Sequence, residues 1–254
     1  DALAITGKGK IVRDYPMVPG VDFAGVVRES SDDRYAPGDR VILTGWGVGE
    51  RYWGGYAETM RVDADWLVPC PDPMSTREAM QLGTAGLTAM LSVIRLEQAG
   101  LPAASQVLVT GATGGVGSWA VQMLSHLGYA VHAVTGKPDQ GQWLKALGAT
   151  EIHERAEFEA DTRPLEKGRW AGVVDNVGGK MLTNILAQMD YHGRVAAVGL
   201  TGGGTNILGP GVVYRIIRQA GLDRRHFFDE TVVQPARGLA GESAGHRSGA
   251  VACF

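Results

Sequence analysis

The sequence predicts an α/β protein in which a doubly wound parallel sheet follows a smaller β domain. Short strand-like runs separated by Gly and Pro fill residues 1–72. Strand-like and helix-like segments then alternate from 106 to 200. A glycine-rich stretch, TGATGGVGSWA at 110–120, joins a strand-like run to a helix-like one. We expect a β domain at 1–75, a nucleotide-binding domain at 76–205 and an atypical C-terminal segment at 206–254.

The first domain is expected to be small and irregular, because its runs VPGVDFAGVV, APGDRVILTG and GGYAETMRV are short and punctuated by turn residues. Residues 72–100 then change to helical periodicity, with Ser75 or Thr76 at the N-cap and Glu78 in the first turn. The tail PARGLAGESAGHRSGAVACF, at 235–254, shows no convincing period, and we expect it to be irregular or poorly ordered.

The alternating region predicts parallel strands joined by right-handed crossovers. The expected strands are 106–110, 130–135, 150–152, 171–175 and 193–199, and the expected helices are 116–127, 139–147 and 180–189.

The glycine-rich turn fits the dinucleotide fingerprint as Gly115-x-Gly117-x-x-Ala120, which is the Rossmann pattern. We expect Gly114 and Gly115 to adopt dihedrals that a side chain forbids. A pyrophosphate is then expected to face Gly114, Gly115, Val116 and Gly117 at the positive end of the helix. The alternative interpretation is a tight structural turn.

The end of the second predicted strand indicates which dinucleotide binds. NAD-binding folds place Asp or Glu there to hold the ribose hydroxyls, whereas this chain has Thr135, Gly136 and Lys137. A hydroxyl, a flexible N–H and a cation suit a 2′-phosphate, so the cofactor is expected to be NADPH. An ordinary glycine turn with a solvated lysine is the alternative.

Composition excludes several other classes. The net charge of −3, with 20% charged residues, gives no electrostatic case for nucleic acid or a membrane surface. We find no apolar segment that approaches membrane-spanning length and no signal-like start. Two cysteines are too few for a disulfide framework. We therefore expect a cytoplasmic protein, and because its first residue is Asp1, one that lacks its natural N-terminus.

Metal and hydrolase chemistry are not expected. The six histidines lack a His-x-x-x-His pair, and His132 is interpreted as a packed or edge residue. The G-x-S-x-G match at Gly241–Gly245 lacks the preceding strand and the later acid that a nucleophile elbow requires.

Longer stretches carry a family resemblance. VPGVDFAGVV, PGDRVILTG, GTAGLTAM, VLVTGATGGVGSWAVQMLSHLGY and RWAGVVDNVGG resemble the zinc-independent medium-chain dehydrogenase/reductases, over roughly residues 1–205. RPLEKGRWAGVVDNVGGKMLTNILAQMDYHGRVAAVGLTGG is similar to their quinone oxidoreductase-like, NADPH-dependent acrylyl-CoA reductase branch. Where zinc-bearing relatives have Gly-His-Glu, this chain has Gly20-Val21-Asp22.

The resemblance implies a GroES-like β domain, truncated at its N-terminus, and hydride transfer from NADPH to an α,β-unsaturated acyl-CoA. Asn176, Val177 and Leu200, at strand ends, are expected to approach the nicotinamide half, and Thr84 and Thr88 to line the cleft or else pack a helix. Asp22 is a candidate acid or a turn acceptor, and no catalytic residue is assigned. The alternatives are reduction of a quinone or enone, and a non-catalytic NADPH-binding remnant. A homodimer through 205–217 is also expected.

Overall fold

The computed structural model describes residues 1–7, 11–160, 166–199, 201–202 and 250–253. By the contacts within it, the chain divides into a first unit, Asp1–Thr84 with Ala240–Phe254, and a second unit, Ala85–Leu239. This partition falls inside the helix Thr76–Gln98 and places the start of the second unit nine residues after the predicted start at 76.

The described part of the first unit contains an antiparallel sheet of five strands. Across the sheet, their order is Met60–Asp63 (β3), Ala250–Cys253 (β10), Asp22–Ser30 (β1), Arg40–Thr44 (β2) and Val68–Pro69 (β4). Val41 and Leu43 of β2 are fully buried, while the residues that alternate with them are partly exposed. This period of two gives the sheet an apolar face, which packs with Phe23 and Val27 of β1. The predicted β domain is confirmed, and its strands are Asp22–Ser30 (β1), Arg40–Thr44 (β2), Met60–Asp63 (β3), Val68–Pro69 (β4) and Ala250–Cys253 (β10).

One of these strands comes from the far end of the sequence. β10 lies between β1 and β3, with Val251 opposite Ser30 on one side and Val62 on the other. The expectation of an irregular tail is therefore wrong for 250–253. Periodicity within a short segment does not report pairing with strands that are distant in sequence. The remainder of the predicted C-terminal segment, including the expected dimer strand at 205–217, lies outside the described residues.

A short helix, Ala2–Ile5 (α1), begins the first unit, and a long helix, Thr76–Gln98 (α2), follows β4. It begins with a capping box, because the Glu78 N–H donates to Ser75 Oγ and the Ser75 N–H donates to Glu78 Oε2. The predicted cap at Ser75 is thus confirmed. The backbone leaves the helical region at Gly83, whose φ is 46° and ψ is −154°, so α2 consists of two helical pieces.

By length and composition alone, α2 could cross a membrane, with 23 residues and a mean hydropathy of 1.2. The expectation that no segment approaches such a length is therefore wrong. A core helix passes the same test, and α2 contributes Ala89, Val93 and Leu96 to the buried core of the second unit. This packing accounts for one face of α2, whereas Leu87, Met90, Leu91 and Ile94 on the helix are exposed.

The described part of the second unit contains a sheet of five parallel strands in the order β7-β6-β5-β8-β9. The strands are Gln106–Val109 (β5), Ala130–Thr135 (β6), Glu151–Glu154 (β7), Trp170–Asp175 (β8) and Met189–Ala197 (β9), and the helices are Gly115–His126 (α3), Gly141–Ala146 (α4) and Gly179–Leu186 (α5). From β5 the chain builds outward through β6 and β7, and then on the other side through β8 and β9. This order confirms the predicted doubly wound parallel sheet.

Both faces of this sheet are covered by apolar packing. Val107 and Val109 of β5 lie in the core that includes α3 residues, whereas Leu108 packs in a second core with Trp170 and Ile185. Residues of a strand alternate between its faces, so two cores on one strand mean that neither face is left open. Burial on both faces explains why the strands read as nearly continuous apolar runs.

The turn between β5 and α3 is built on close backbone contact. A methyl group placed on Gly117 would lie 2.3 Å from the carbonyl oxygen of Gly111 and 2.7 Å from Cα of Ala112. Glycine at 117 therefore lets the first turn of α3 pack directly on the end of β5. The expectation that Gly114 and Gly115 adopt dihedrals forbidden to a side chain is wrong. Gly114 has an ordinary extended φ of −80°, and Gly115 begins the helix. The glycine of this turn with a positive φ, of 56°, is Gly111.

We predict that Gly117→Ala lowers the free energy of unfolding of the second unit by about 1–3 kcal/mol, because the new methyl group must displace backbone atoms. Urea denaturation followed by tryptophan fluorescence measures this loss. Gly141→Ala is the matched control: Gly141 starts α4 with a helical φ of −59°, and its nearest neighbour would be 3.9 Å away. We expect the control to be unchanged or slightly stabilised. Equal losses in both variants would contradict the packing argument.

Candidate functional site

The carboxyl ends of β5 and β8 meet at one edge of the second unit's sheet. The two strands are adjacent and parallel, and the chain leaves them in opposite directions, towards β6 from one and β9 from the other. A doubly wound sheet binds its ligands at this switch point, because the connecting helices depart to opposite faces and leave a crevice between them.

Helix α3 presents an open amino terminus at this edge. Gly114 occupies the N-cap and makes no side-chain cap, and it is exposed, as is Gly115. The N–H groups of Gly115, Val116 and Gly117 lie in the first turn, where a helix supplies no acceptor of its own. The helix dipole adds positive potential there. A diphosphate would satisfy these donors without any further cation, and the predicted residues 114–117 all lie at this end of α3.

A buried hydrogen-bonded pair ties the two strand ends together. The hydroxyl of Thr110 donates to Asp175 Oδ1 over 2.6 Å, and both residues are fully buried. The Asn176 N–H donates to Thr110 Oγ1 at 2.9 Å, and Asn176 Nδ2 donates to the Thr110 carbonyl at 2.7 Å. Three hydrogen bonds therefore fix the residue after β5 against the residues that end β8.

The carboxylate of Asp175 also shapes the loop that follows β8. Its Oδ2 accepts the Gly178 N–H at 2.8 Å, and its Oδ1 accepts the Val177 N–H at 3.4 Å. Burial raises the pKa of Asp175, while the hydrogen bonds from Thr110, Gly178 and Val177 act in the opposite direction. Asp175 is a positioning residue that sequence reasoning missed, although a Thr and an Asp at the ends of two apolar strands were a signal for it.

Two of the three residues predicted to approach the nicotinamide, Asn176 and Val177, lie in this loop. The Asn176 carbonyl accepts the hydroxyl of Thr201 at 3.2 Å, and the Val177 carbonyl accepts the Gly202 N–H at 2.7 Å. Val177 is 7% exposed and packs in a core cluster, whereas Asn176 is partly exposed. The ends of β8 and β9 are thus held together at the same edge as α3. Leu200 lies outside the described residues.

At the end of β6, the three predicted residues divide by exposure. Thr135 is buried, and its hydroxyl lies 3.4 Å from that of Thr113 and accepts the Lys137 N–H at 3.0 Å. Gly136 and Lys137 are exposed. Thr135 therefore joins this loop to the glycine-rich turn. Lys137 places an exposed positive charge in the same loop.

A second cation beside this loop was missed in the sequence. The side chain of Arg155 passes over Gly136, with its Cδ 3.5 Å from where a methyl group on Gly136 would be. Its guanidinium pairs with Glu159 at 2.6 Å and is half exposed. Arg155 follows β7, and the pairing of Thr135 with Glu154 across β6 and β7 brings it there.

The two predicted threonines of α2 have different surroundings. The N–H and hydroxyl of Thr84 both donate to Asp22 Oδ1, at 2.9 and 2.7 Å. Asp22 thereby caps the helical piece that restarts after Gly83, which agrees with the interpretation of Asp22 as a turn acceptor. The Thr88 carbonyl accepts the Ser92 hydroxyl at 2.8 Å, and Thr88 is partly exposed.

Two family models match the chain. The model described as alcohol dehydrogenase GroES-like domain matches residues 1–72. The model described as zinc-binding dehydrogenase matches residues 115–228. These ranges correspond to the predicted β domain and to the sheet that carries the glycine-rich turn.

Curated relatives agree with these matches. The chain is 58% identical over 206 residues to the probable acrylyl-CoA reductase AcuI of Escherichia coli, covering 81% of this chain and 63% of that protein. It is 58% identical over 205 residues to the acrylyl-CoA reductase AcuI of Ruegeria pomeroyi, covering 80% and 62%. It is 49% identical over 219 residues to the putative quinone oxidoreductase YhfP of Bacillus subtilis, covering 85% and 66%. The chain thus spans somewhat less than two thirds of the length of these relatives.

Solved structures show the same fold. The yhdH oxidoreductase from Salmonella enterica in complex with NADP matches with a TM-score of 0.80 and 53% identity, covering 87% of this chain and 67% of that one. Escherichia coli YhdH with bound NADPH matches with a TM-score of 0.80 and 54% identity, covering 86% and 67%. Bacillus subtilis yhfP with NAD bound matches with a TM-score of 0.76 and 48% identity, covering 83% and 64%. The matched domains, the identity and the common fold together establish that the chain belongs to the medium-chain dehydrogenase/reductase family.

Proposed function

We propose that the chain binds NADPH and reduces the carbon–carbon double bond of an α,β-unsaturated acyl-CoA. The observation that carries the cofactor is the open amino terminus of α3 at the switch point. Gly117 packs directly on Gly111 there, and the exposed Gly115 and partly exposed Val116 begin the helix with N–H groups that suit a diphosphate. Two relatives of known structure, from Salmonella enterica and Escherichia coli, hold NADP or NADPH.

The charges at the end of β6 support NADPH over NADH. A 2′-phosphate is a dianion, and the loop offers the exposed Lys137 and, over Gly136, the side chain of Arg155. Thr135 stands where an NAD-specific enzyme has a carboxylate, so repulsion of the phosphate is absent at that position. Because the Bacillus subtilis relative holds NAD in its structure, the preference must be tested on these two cations directly.

Bound NADPH would supply a hydride from nicotinamide C4. The chain's own residues bind and orient it: α3 holds the pyrophosphate, and the loop fixed by Asp175 positions Asn176 and Val177 at the strand ends. In the acceptor, the hydride adds to the β-carbon, negative charge develops on the thioester oxygen, and a proton reaches the α-carbon. The group that donates this proton is not assigned.

A reaction without a metal is part of the proposal. Asp22 occupies the position where zinc-bearing relatives have the Glu of Gly-His-Glu, and Val21 replaces their histidine ligand. One oxygen of the Asp22 carboxylate accepts both hydrogen bonds from Thr84, so this carboxylate serves the helix. A cytoplasmic homodimer, with acyl-CoA as its small-molecule partner and without nucleic acid or a membrane, completes the proposal.

Reduction of a quinone is the second candidate. It is favoured by the Bacillus subtilis relative, which is 49% identical and named a putative quinone oxidoreductase. The same cofactor site serves both reactions, so only the acceptor distinguishes them. The basic residues near the start of the chain could contact CoA phosphates, but a solvated basic loop is the preferred interpretation: Arg13 is exposed, and Lys8 and Lys10 lie outside the described residues.

We predict that Lys137→Ala and Arg155→Ala each raise the Kd for NADPH about tenfold or more, because each removes a charge-assisted contact to the 2′-phosphate. The Kd for NADH should change little. Fluorescence titration of both dinucleotides measures this, with Lys145→Ala, an exposed lysine on α4, as the control. Equal losses for NADPH and NADH, or none in either variant, would refute the role of these cations.

The acceptor is tested by following NADPH absorbance with acrylyl-CoA and, separately, with 1,4-benzoquinone. We expect oxidation of NADPH with acrylyl-CoA and formation of propanoyl-CoA. Turnover with the quinone alone would replace the first candidate by the second. A chain that binds NADPH and turns over neither acceptor would disprove the proposed reaction while leaving the cofactor proposal intact.

A further inference from the structure

Two buried histidines and a carboxylate meet on neighbouring strands of the second unit. β6 and β7 are parallel, and their register places His132 opposite Glu151 and Val134 opposite His153. Alternate residues of a strand share a face, so Glu151 and His153 lie on the same face of β7. His132 lies beside them on β6. Twenty-one residues separate the two histidines in sequence, so pattern searches along one helix or one turn do not find the pair.

The distances within this group match the ligand set of a small metal ion. His132 Nδ1 lies 3.0 Å from His153 Nε2 and 3.4 Å from Glu151 Oε2, and His153 Nε2 lies 4.0 Å from Glu151 Oε1. With bonds of about 2.0–2.1 Å, two ligands of a tetrahedral zinc ion lie about 3.3 Å apart. The three donor atoms therefore need only small side-chain rotations to surround one ion.

A further carboxylate orients the more buried imidazole. Glu157 Oε2 lies 3.2 Å from His153 Nδ1, and Glu157 Oε1 accepts the Glu154 N–H at 2.9 Å. An N–H at Nδ1 directed to this anchored carboxylate leaves the lone pair of His153 on Nε2, towards His132. A histidine that donates one ring nitrogen to a carboxylate and offers the other is the common arrangement at protein metal sites.

The surroundings bury both imidazoles and leave one side of the group open to solvent. His132 and His153 are 6% and 4% exposed, and they pack against Trp170. The side chain of Glu151 is 58% exposed, which gives an ion a path from solvent and room for a water ligand.

The charge around the group favours a cation. Glu151 and Glu157 carry two negative charges on this face, and the guanidinium of Arg169, 4.6 Å over the ring of Trp170, carries one positive charge. The two carboxylates and the guanidinium together carry a net charge of −1. Binding of a divalent ion would change this net charge from −1 to +1. The carboxylates beside the buried rings would then have a cation as their partner.

We propose that the chain binds one divalent late transition-metal ion of the Zn²⁺ class through His132 Nδ1, His153 Nε2 and the Glu151 carboxylate, with water as the fourth ligand. Two imidazoles with one carboxylate suit Zn²⁺ or Co²⁺ and do not suit Mg²⁺ or Ca²⁺, which prefer oxygen ligands. The ion bridges β6 to the edge strand β7 and stabilises their pairing. This site is separate from the proposed dinucleotide site and takes no part in hydride transfer.

Calorimetric titration of the chelator-treated full chain with Zn²⁺ is the test. We expect one ion per chain, a higher Tm with Zn²⁺, and no heat of binding with Mg²⁺. Titration with Co²⁺ should give the visible spectrum of a tetrahedral site with nitrogen and oxygen ligands. These readouts do not depend on NADPH or on reductase activity, so failure here is distinguishable from failure of the proposed function.

Variants assign the ion to these residues. Glu151→Gln, at an exposed position that does not affect packing, should weaken Zn²⁺ binding at least tenfold, and Glu157→Gln about 10- to 100-fold through the orientation of His153. Glu154→Gln is the matched control, because Glu154 lies on the other face of β7 and glutamine retains its capping role. His153→Gln should abolish the site, with circular dichroism as the check of folding. Absence of Zn²⁺ binding, or binding that Glu151→Gln leaves unchanged, would overturn the proposal.

Discussion

The second unit depends on one close contact, between the first turn of α3 and the backbone that leaves β5. Gly117 has no Cβ, so the helix axis can approach Gly111 until backbone atoms touch. This approach directs the amino terminus of α3 at the edge where β5 and β8 end. A longer residue at 117 would tilt or lift the helix, and its N–H groups would no longer point at the crevice. The packing of the helix and the proposed binding of an anion therefore both require a residue without a side chain at 117.

A second constraint keeps the crevice in shape from the opposite side. Asp175 is buried without a charged partner among the hydrogen bonds it makes, and it is held by donors from Thr110, Val177 and Gly178. A buried carboxylate is costly unless such donors surround it. Once they do, the loop after β8 has little freedom to rearrange. Rigidity of this loop matters more for orienting a ligand than any single contact that its side chains would make.

The order of elements, the parallel sheet and the helix expected at 116–127, which the structure has at Gly115–His126, could be predicted from the sequence. Each of these depends on local pattern: apolar runs, glycines and helical spacing. The strand bounds agree within a few residues, except that β9 begins at Met189, before the expected 193. Its first half contains Asp190 and His192, whose polarity hid a strand that pairs at the edge of the sheet.

What could not be predicted depends on residues that are distant in sequence. Arg155 reaches Gly136 only because β6 and β7 are paired. The capping of α2 by Asp22 requires a bond across sixty-two positions, and the meeting of His132 with His153 requires a particular strand register. Sequence patterns report on residues that are close together along the chain. Strand register and long-range hydrogen bonds depend instead on how distant segments pack in the folded protein.

The position of β10 has a consequence for how the first unit is made. β1 and β3 are synthesised early, and the strand that separates them, Ala250–Cys253, follows only after the whole second unit. Until then each of the two strands has one edge whose N–H and C=O groups lack their final partners. The first unit's sheet therefore stays without β10 until residues 85–239 have been synthesised, and proteins that bind exposed strand edges could reach β1 and β3 during that interval.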